Sequence, residues 1–123
     1  MKSKVSQAEG SALDWLVAKC EGFAYEPSTY VSNRPFCYYI NGTRGGCESF
    51  WPSTNPAQAY PIIYREDICV HATGDANKWK AYRWDATIVN FTREQYGPTP
   101  LIAAMRCYVA SKLGDEVEIP EEL

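Results

Sequence analysis

Tyr96-Gly-Pro-Thr-Pro-Leu-Ile-Ala-Ala-Met-Arg-Cys-Tyr-Val-Ala-Ser-Lys-Leu-Gly114 is the stretch whose reading decides the fold. Thr99 offers a capping hydroxyl, and Pro100 falls at the first helical position, where a missing N–H costs nothing. Gly114 supplies a stop that tolerates positive φ. Between them Leu101, Met105, Tyr108 and Val109 recur at helical spacing, with Ile102 and Leu113 on the flank. Ala103, Cys107 and Ala110 form a second stripe, small enough to admit a closely packed neighbour, either another helix or a sheet. The spacing predicts a helix over 99–113, followed by an acidic tail over 114–123.

A second helix is expected near the other end, from about Ser6 to Glu21. Ser6 and Glu9 have capping-box spacing, Ser11 and Asp14 mark an alternative start, and Gly22 ends the run. Ala8, Ala12, Leu13, Leu16, Val17 and Cys20 make its apolar face. The intervening region, 36–91, reads as short strands and loops. Phe36–Ile40 is β-prone and ends in the turn dipeptide Asn41-Gly42. Pro52, Pro56 and Pro61 argue against a helix and for a rigid loop carrying Trp51, Ser53, Thr54, Asn55 and Tyr60. Pro61–Val70 then reads as strand, with Ile62, Ile63, Ile68 and Val70 as core and Arg65-Glu66-Asp67 as an exposed bend. Trp79–Trp84 alternates as a strand should, and Ala86–Phe91 suggests another. The expected architecture is one α+β domain, with the N- and C-terminal helices packed on one face of a small, mainly antiparallel sheet.

Bulk properties narrow the function. A chain of 123 residues can bury roughly two-thirds of its unfolded surface. It has no apolar run long enough to cross a bilayer and no apolar stretch behind Lys2 and Lys4 to make a secretion signal, so a cytoplasmic protein is expected. The net charge of −3 opposes general attraction to nucleic acid. Lys78, Lys80, Arg83 and Arg93 nevertheless interleave with Trp79, Tyr82 and Trp84, which suits either base stacking or a strand with one solvated face. Five cysteines, at 20, 37, 47, 69 and 107, lack C-x-x-C spacing, so no metal site is expected and they read as small buried hydrophobes. No phosphate-cradling glycine motif is present, and no cofactor is expected. Asp14, Glu66, His71 and Glu94 are the residues available for acid–base work, with Arg65 or Arg106 for an anion, but no spacing joins them into a catalytic set.

Leu13-Asp14-Trp15 with Val17-Ala18, Pro52-Ser53-Thr54, Pro61-Ile62-Ile63 and, above all, the run from Tyr96 to Pro120 resemble the NinX family of small lambdoid-phage proteins. The chain departs from that pattern at Ala59-Tyr60, where a Gly-Gly pair is expected, and at Tyr64, where an acidic residue is expected. The resemblance implies a phage or prophage protein working in the bacterial cytoplasm and implies no reaction. With aromatic residues at 14% of the chain, the reading that follows is a non-enzymatic binding module. Trp51, Ser53, Thr54, Asn55, Tyr60 and Arg65 would meet a host or phage protein, or a second copy of the chain in a homo-oligomer. A nucleic-acid-binding accessory protein and a small enzyme are the alternatives.

Overall fold

In the computed structural model, which describes residues 1–27, 36–39, 47–121 and 123, strand β1 (Lys2–Lys4) leads through a 3-10 turn at Val5–Gln7 into helix α1 (Gly10–Glu21). Strands β2 (Ala24–Pro27), β3 (Phe36–Tyr39) and β4 (Cys47–Glu48) follow, then helix α2 (Pro56–Arg65). Strands β5 (Ile68–Ala72), β6 (Trp79–Asp85) and β7 (Asn90–Gly97), helix α3 (Pro100–Leu113) and strand β8 (Glu116–Glu118) complete the chain. The class is α+β. Among the described residues the strands make three small antiparallel sheets, β1-β8, β2-β3-β4 and β5-β6-β7.

Helix α3 forms where the sequence places it. Thr99 Oγ1 accepts from the Ile102 N–H at 3.2 Å, and Gly114 follows with φ 87°. Every residue from Ala103 to Ala110 is buried, so the helix is covered on all sides rather than along one stripe. The small residues Ala103, Cys107 and Ala110 are fully enclosed, and both neighbours left open by the sequence are present: α3 packs against the β5-β6-β7 sheet and against α1. Leu13, Leu16 and Val17 of α1, Ile62 of α2 and Ala81 of β6 join it in one core.

Several expectations require correction. The N-terminal helix starts at Gly10, and the Ser6 box does not form: Ser6 lies in the 3-10 turn, and φ of 57° at Gly10 prevents one continuous helix. The expected loop ends at Asn55: Pro52 lies in its turn, but Pro56 and Pro61 belong to helix α2, and the strand expected over 61–70 begins only at Ile68 as β5. Pro56 occupies the first turn of α2 behind Asn55, whose Oδ1 accepts from the Ala57 N–H at 3.1 Å. Pro61 lies inside, but it and Ala57 are both exposed, so the carbonyl left without its helical donor can turn to water. The expected strand over 86–91 is a turn through residue 89, where Asp85 Oδ1 accepts from the Thr87 N–H and Val89 takes φ 50°; β7 begins only at Asn90. Ile40 and the Asn41-Gly42 turn lie outside the described residues.

The cysteines also differ from expectation. Cys107 is buried and Cys20 half-buried, but Cys69 is exposed and Cys37 is disulfide-bonded. Disulfide formation depends on Cα proximity in the fold, which sequence spacing does not reveal. The acidic tail is partly ordered as β8, whose Glu118 and Glu116 stand opposite Lys2 and Lys4 of β1.

Candidate functional site

The segment leading into α2 is built from within. Ser53 is 2% exposed, and its N–H donates to Asp14 Oδ1 at 2.9 Å, which fastens the segment to α1. The Gln58 side chain closes it from the other side, accepting from the Trp51 N–H at 2.8 Å and donating to the Ser49 carbonyl at 3.1 Å. Trp51 is half-buried, Asn55 caps α2, and Thr54 is exposed between them. Ser53 and Asn55 thus hold backbone in place, whereas Thr54 faces outward.

Helix α2 carries the largest exposed rings of this region. Tyr60 is 53% exposed and Tyr64 is 80% exposed, with ring centroids 6.3 Å apart. Their separation of four residues places them one turn apart on one face. Beside Tyr64, an open cavity of about 480 Å³ is lined by Ile63, Asp67, Ile68, Cys69 and Trp84. In the sequence Tyr64 is marked only as a departure from the family pattern, not as a partner-binding residue. Recognising α2 as a helix would have paired it with Tyr60.

Behind this face lies a charged cluster. Arg65 Nη1 and Nη2 donate to Glu21 Oε1 and Oε2 at 3.1 and 2.6 Å, and Arg65 Nε donates to Glu66 Oε2 at 2.9 Å. Lys112 Nζ and Arg83 Nη2 approach Glu66 Oε1 at 3.1 and 3.4 Å, and the Tyr108 hydroxyl donates to Glu21 Oε2 at 2.6 Å. Burial alone would raise the Glu66 pKa, but hydrogen bonds from Arg65 and Lys112 outweigh it and the net shift is downward. Burial, then the bond to Glu21, pushes the Tyr108 hydroxyl up. Arg65 therefore ties the ends of α1 and α2 together as well as bordering the exposed tyrosines.

The acid–base candidates are dispersed. Asp14 and Glu66 are committed to Ser53 and to the cation cluster. His71 and Glu94 do share an open depression of about 270 Å³ with Lys80, Tyr82 and Thr92. There the Glu94 carboxylate is held below its usual pKa by the Tyr96 hydroxyl and by Lys80, whose Nζ stands 3.3 Å away. Alternation along β6 sends Trp79, Ala81 and Arg83 towards α3, and Lys80, Tyr82 and Trp84 to the opposite face.

Among the described residues, no helix is long and apolar enough to cross a membrane. No curated protein matches the chain. The family model described as Bacteriophage P22, NinX matches residues 4–112, spanning α1, the Asp14–Ser53 connection, α2 and nearly all of α3, and the chain belongs to this phage family.

Proposed function

We propose that this phage protein is a small non-enzymatic module of the bacterial host cytoplasm that docks another protein, of host or phage, on the α2 face. The exposed pair Tyr60 and Tyr64 carries the proposal. Two large rings held in water on a short capped helix, beside the cavity at Ile63 and Trp84, match the aromatic anchors that dominate protein interfaces. Thr54 and Arg65 would extend the contact, while Trp51, Ser53 and Asn55 set the path of the backbone that presents it.

The test is capture from infected cells by the wild-type chain and by a Tyr60→Ala/Tyr64→Ala variant, followed by titration of the purified captured protein. Hot-spot rings contribute about 2 kcal/mol or more, so the double variant is expected to weaken binding at least about thirtyfold at unchanged Tm. Equal affinity for the variant overturns this surface. Self-association that depends on the same two tyrosines would instead make the face a contact between copies of the chain.

A second reading, nucleic-acid binding, draws on Tyr82 and Trp84, which share the face of β6 turned away from α3. Two of the strip's four cations speak against it: Lys80 is paired with Glu94 and Arg83 is turned towards Glu66. Retention of single-stranded DNA on filters at low salt, lost in Trp84→Ala, would favour it over protein docking.

A further inference from the structure

Arg106 is 8% exposed, yet among the described residues no carboxylate forms an ion pair with it. Its Nε donates to the Ala8 carbonyl at 2.8 Å and its Nη1 to the Tyr96 carbonyl at 2.8 Å. These neutral acceptors fix the plane of the guanidinium without neutralising it. Burial holds its pKa below the ordinary value, and Glu9 opposes that only through space. A guanidinium has five N–H donors, so two bonds leave capacity unspent. An apolar side chain of similar volume would fill an interior more cheaply than a charge without a counter-ion.

The unspent capacity has somewhere to point. Arg106 lines an open cavity of about 390 Å³ together with Ser6, Asn77, Lys78, Gly97 and Pro98. Lys78 Nζ stands 4.9 Å from the Tyr96 ring centroid and makes no ion pair among the described residues. Glu94 also reaches the rim, but its carboxylate already accepts from the Tyr96 hydroxyl at 2.5 Å and is paired with Lys80. The cavity approaches α3 at Pro98, just before the cap, where the helix end adds partial positive charge.

We propose that this cavity binds the phosphate group of a small phosphorylated molecule, with the Arg106 guanidinium at its floor and Lys78 at its rim. A guanidinium held by two hydrogen bonds and an exposed ammonium, with neutral donors from Ser6 and Asn77, suit a phosphate monoester, which carries about −1.5 to −2 charges near neutral pH, better than a singly charged carboxylate. The site lies apart from the α2 face and stands or falls independently of it.

The test is a proton–nitrogen NMR titration of the full chain with inorganic phosphate, and with acetate at matched ionic strength. Phosphate is expected to shift the Arg106 Nε–H and the Gly97 amide saturably, with acetate clearly weaker. Lys78→Gln, an exposed change that should leave the fold intact, is expected to weaken phosphate binding about tenfold, since it removes a charge-assisted contact. Arg106→Lys keeps the charge but loses the fork, and saturation should vanish if that variant folds. If it does not fold, Lys78→Gln carries the test. No saturable shift, an affinity unchanged by Lys78→Gln, or acetate binding as tightly as phosphate each overturns the proposal.

Discussion

Arg65 and Glu21, 44 residues apart in sequence, meet in a two-armed ion pair that joins the last turn of α2 to the last residue of α1. The guanidinium is half exposed, at 49%, whereas the carboxylate is 14% exposed and also accepts from the Tyr108 hydroxyl. Solvent screens the Coulomb part, so Glu21→Gln is expected to cost only about 0.5–1 kcal/mol. Glu21→Ala should cost more, about 1–3 kcal/mol, because it leaves the buried Tyr108 hydroxyl without its acceptor. Urea unfolding of the two variants measures the difference, and equal losses would mean that the Tyr108 bond contributes nothing.

Glu66 gives the fold an acid-sensitive joint. Its pKa is lowered in the folded chain, so its contribution is present above the unfolded value of about 4.3 and is lost as pH falls through the folded value. Glu66→Gln is expected to cost about 1–3 kcal/mol at neutral pH through weakened bonds to Arg65, Lys112 and Arg83. Its stability should converge on that of the wild type as pH falls below the unfolded value and through the lowered folded one, where the native carboxylate is also protonated. Unfolding midpoints measured from pH 3 to 8 test this, and a constant gap across that range would contradict it.

Gly97 ends β7 against the first turns of α3. A Cβ built there would lie 2.7 Å from the Ala103 backbone nitrogen and 3.1 Å from its Cα. Backbone cannot swing aside as a side-chain tip can, so Gly97→Ala should cost about 1–3 kcal/mol and lower the calorimetric Tm. An unchanged Tm would show that strand and helix separate here at little cost.

Thiol chemistry separates three of the cysteines. Burial pushes Cys20 and Cys107 up to about 12, so both remain protonated at mildly alkaline pH, whereas Cys69 is exposed on β5. Brief treatment of native protein with iodoacetamide, followed by peptide mapping, should modify Cys69 well before the other two. Comparable labelling of Cys107 would show that the core around α3 opens readily.

Helix α3 was legible because capping residue, proline, apolar spacing and terminating glycine all coincide within one short stretch, and local chemistry alone decides the outcome. The strand at Trp79–Asp85 is legible from its aromatic, β-prone residues, although each of its faces mixes rings with a cation. Helix α2 is not, because proline in general disfavours a helix interior, while the penalty at Pro61 depends on whether the freed carbonyl faces protein or water. Only the packed chain decides that. Of the six residues singled out for the site, Thr54 and Tyr60 lie outward, while Trp51, Ser53, Asn55 and Arg65 make internal bonds through which they shape the surface. Arg106 is legible in sequence only as a cation available for an anion. Its carbonyl partners at Ala8 and Tyr96 have no side-chain signature to read.

The pairing of β1 with β8 bears on how the chain is made. Register brings Lys2 opposite Glu118, and Val5, fully enclosed in the finished fold, donates its N–H to the Asp115 carbonyl at 2.9 Å. A ribosome delivers β1 well before β8, so β1 must wait for every element that lies between them before it finds its partner. Contacts this distant in sequence close late and slow the search. Until then the apolar surface at Val5 is open to water and to other chains, and a synthesis that stalls after α3 would release a molecule with its main helix in place and its clasp unfastened.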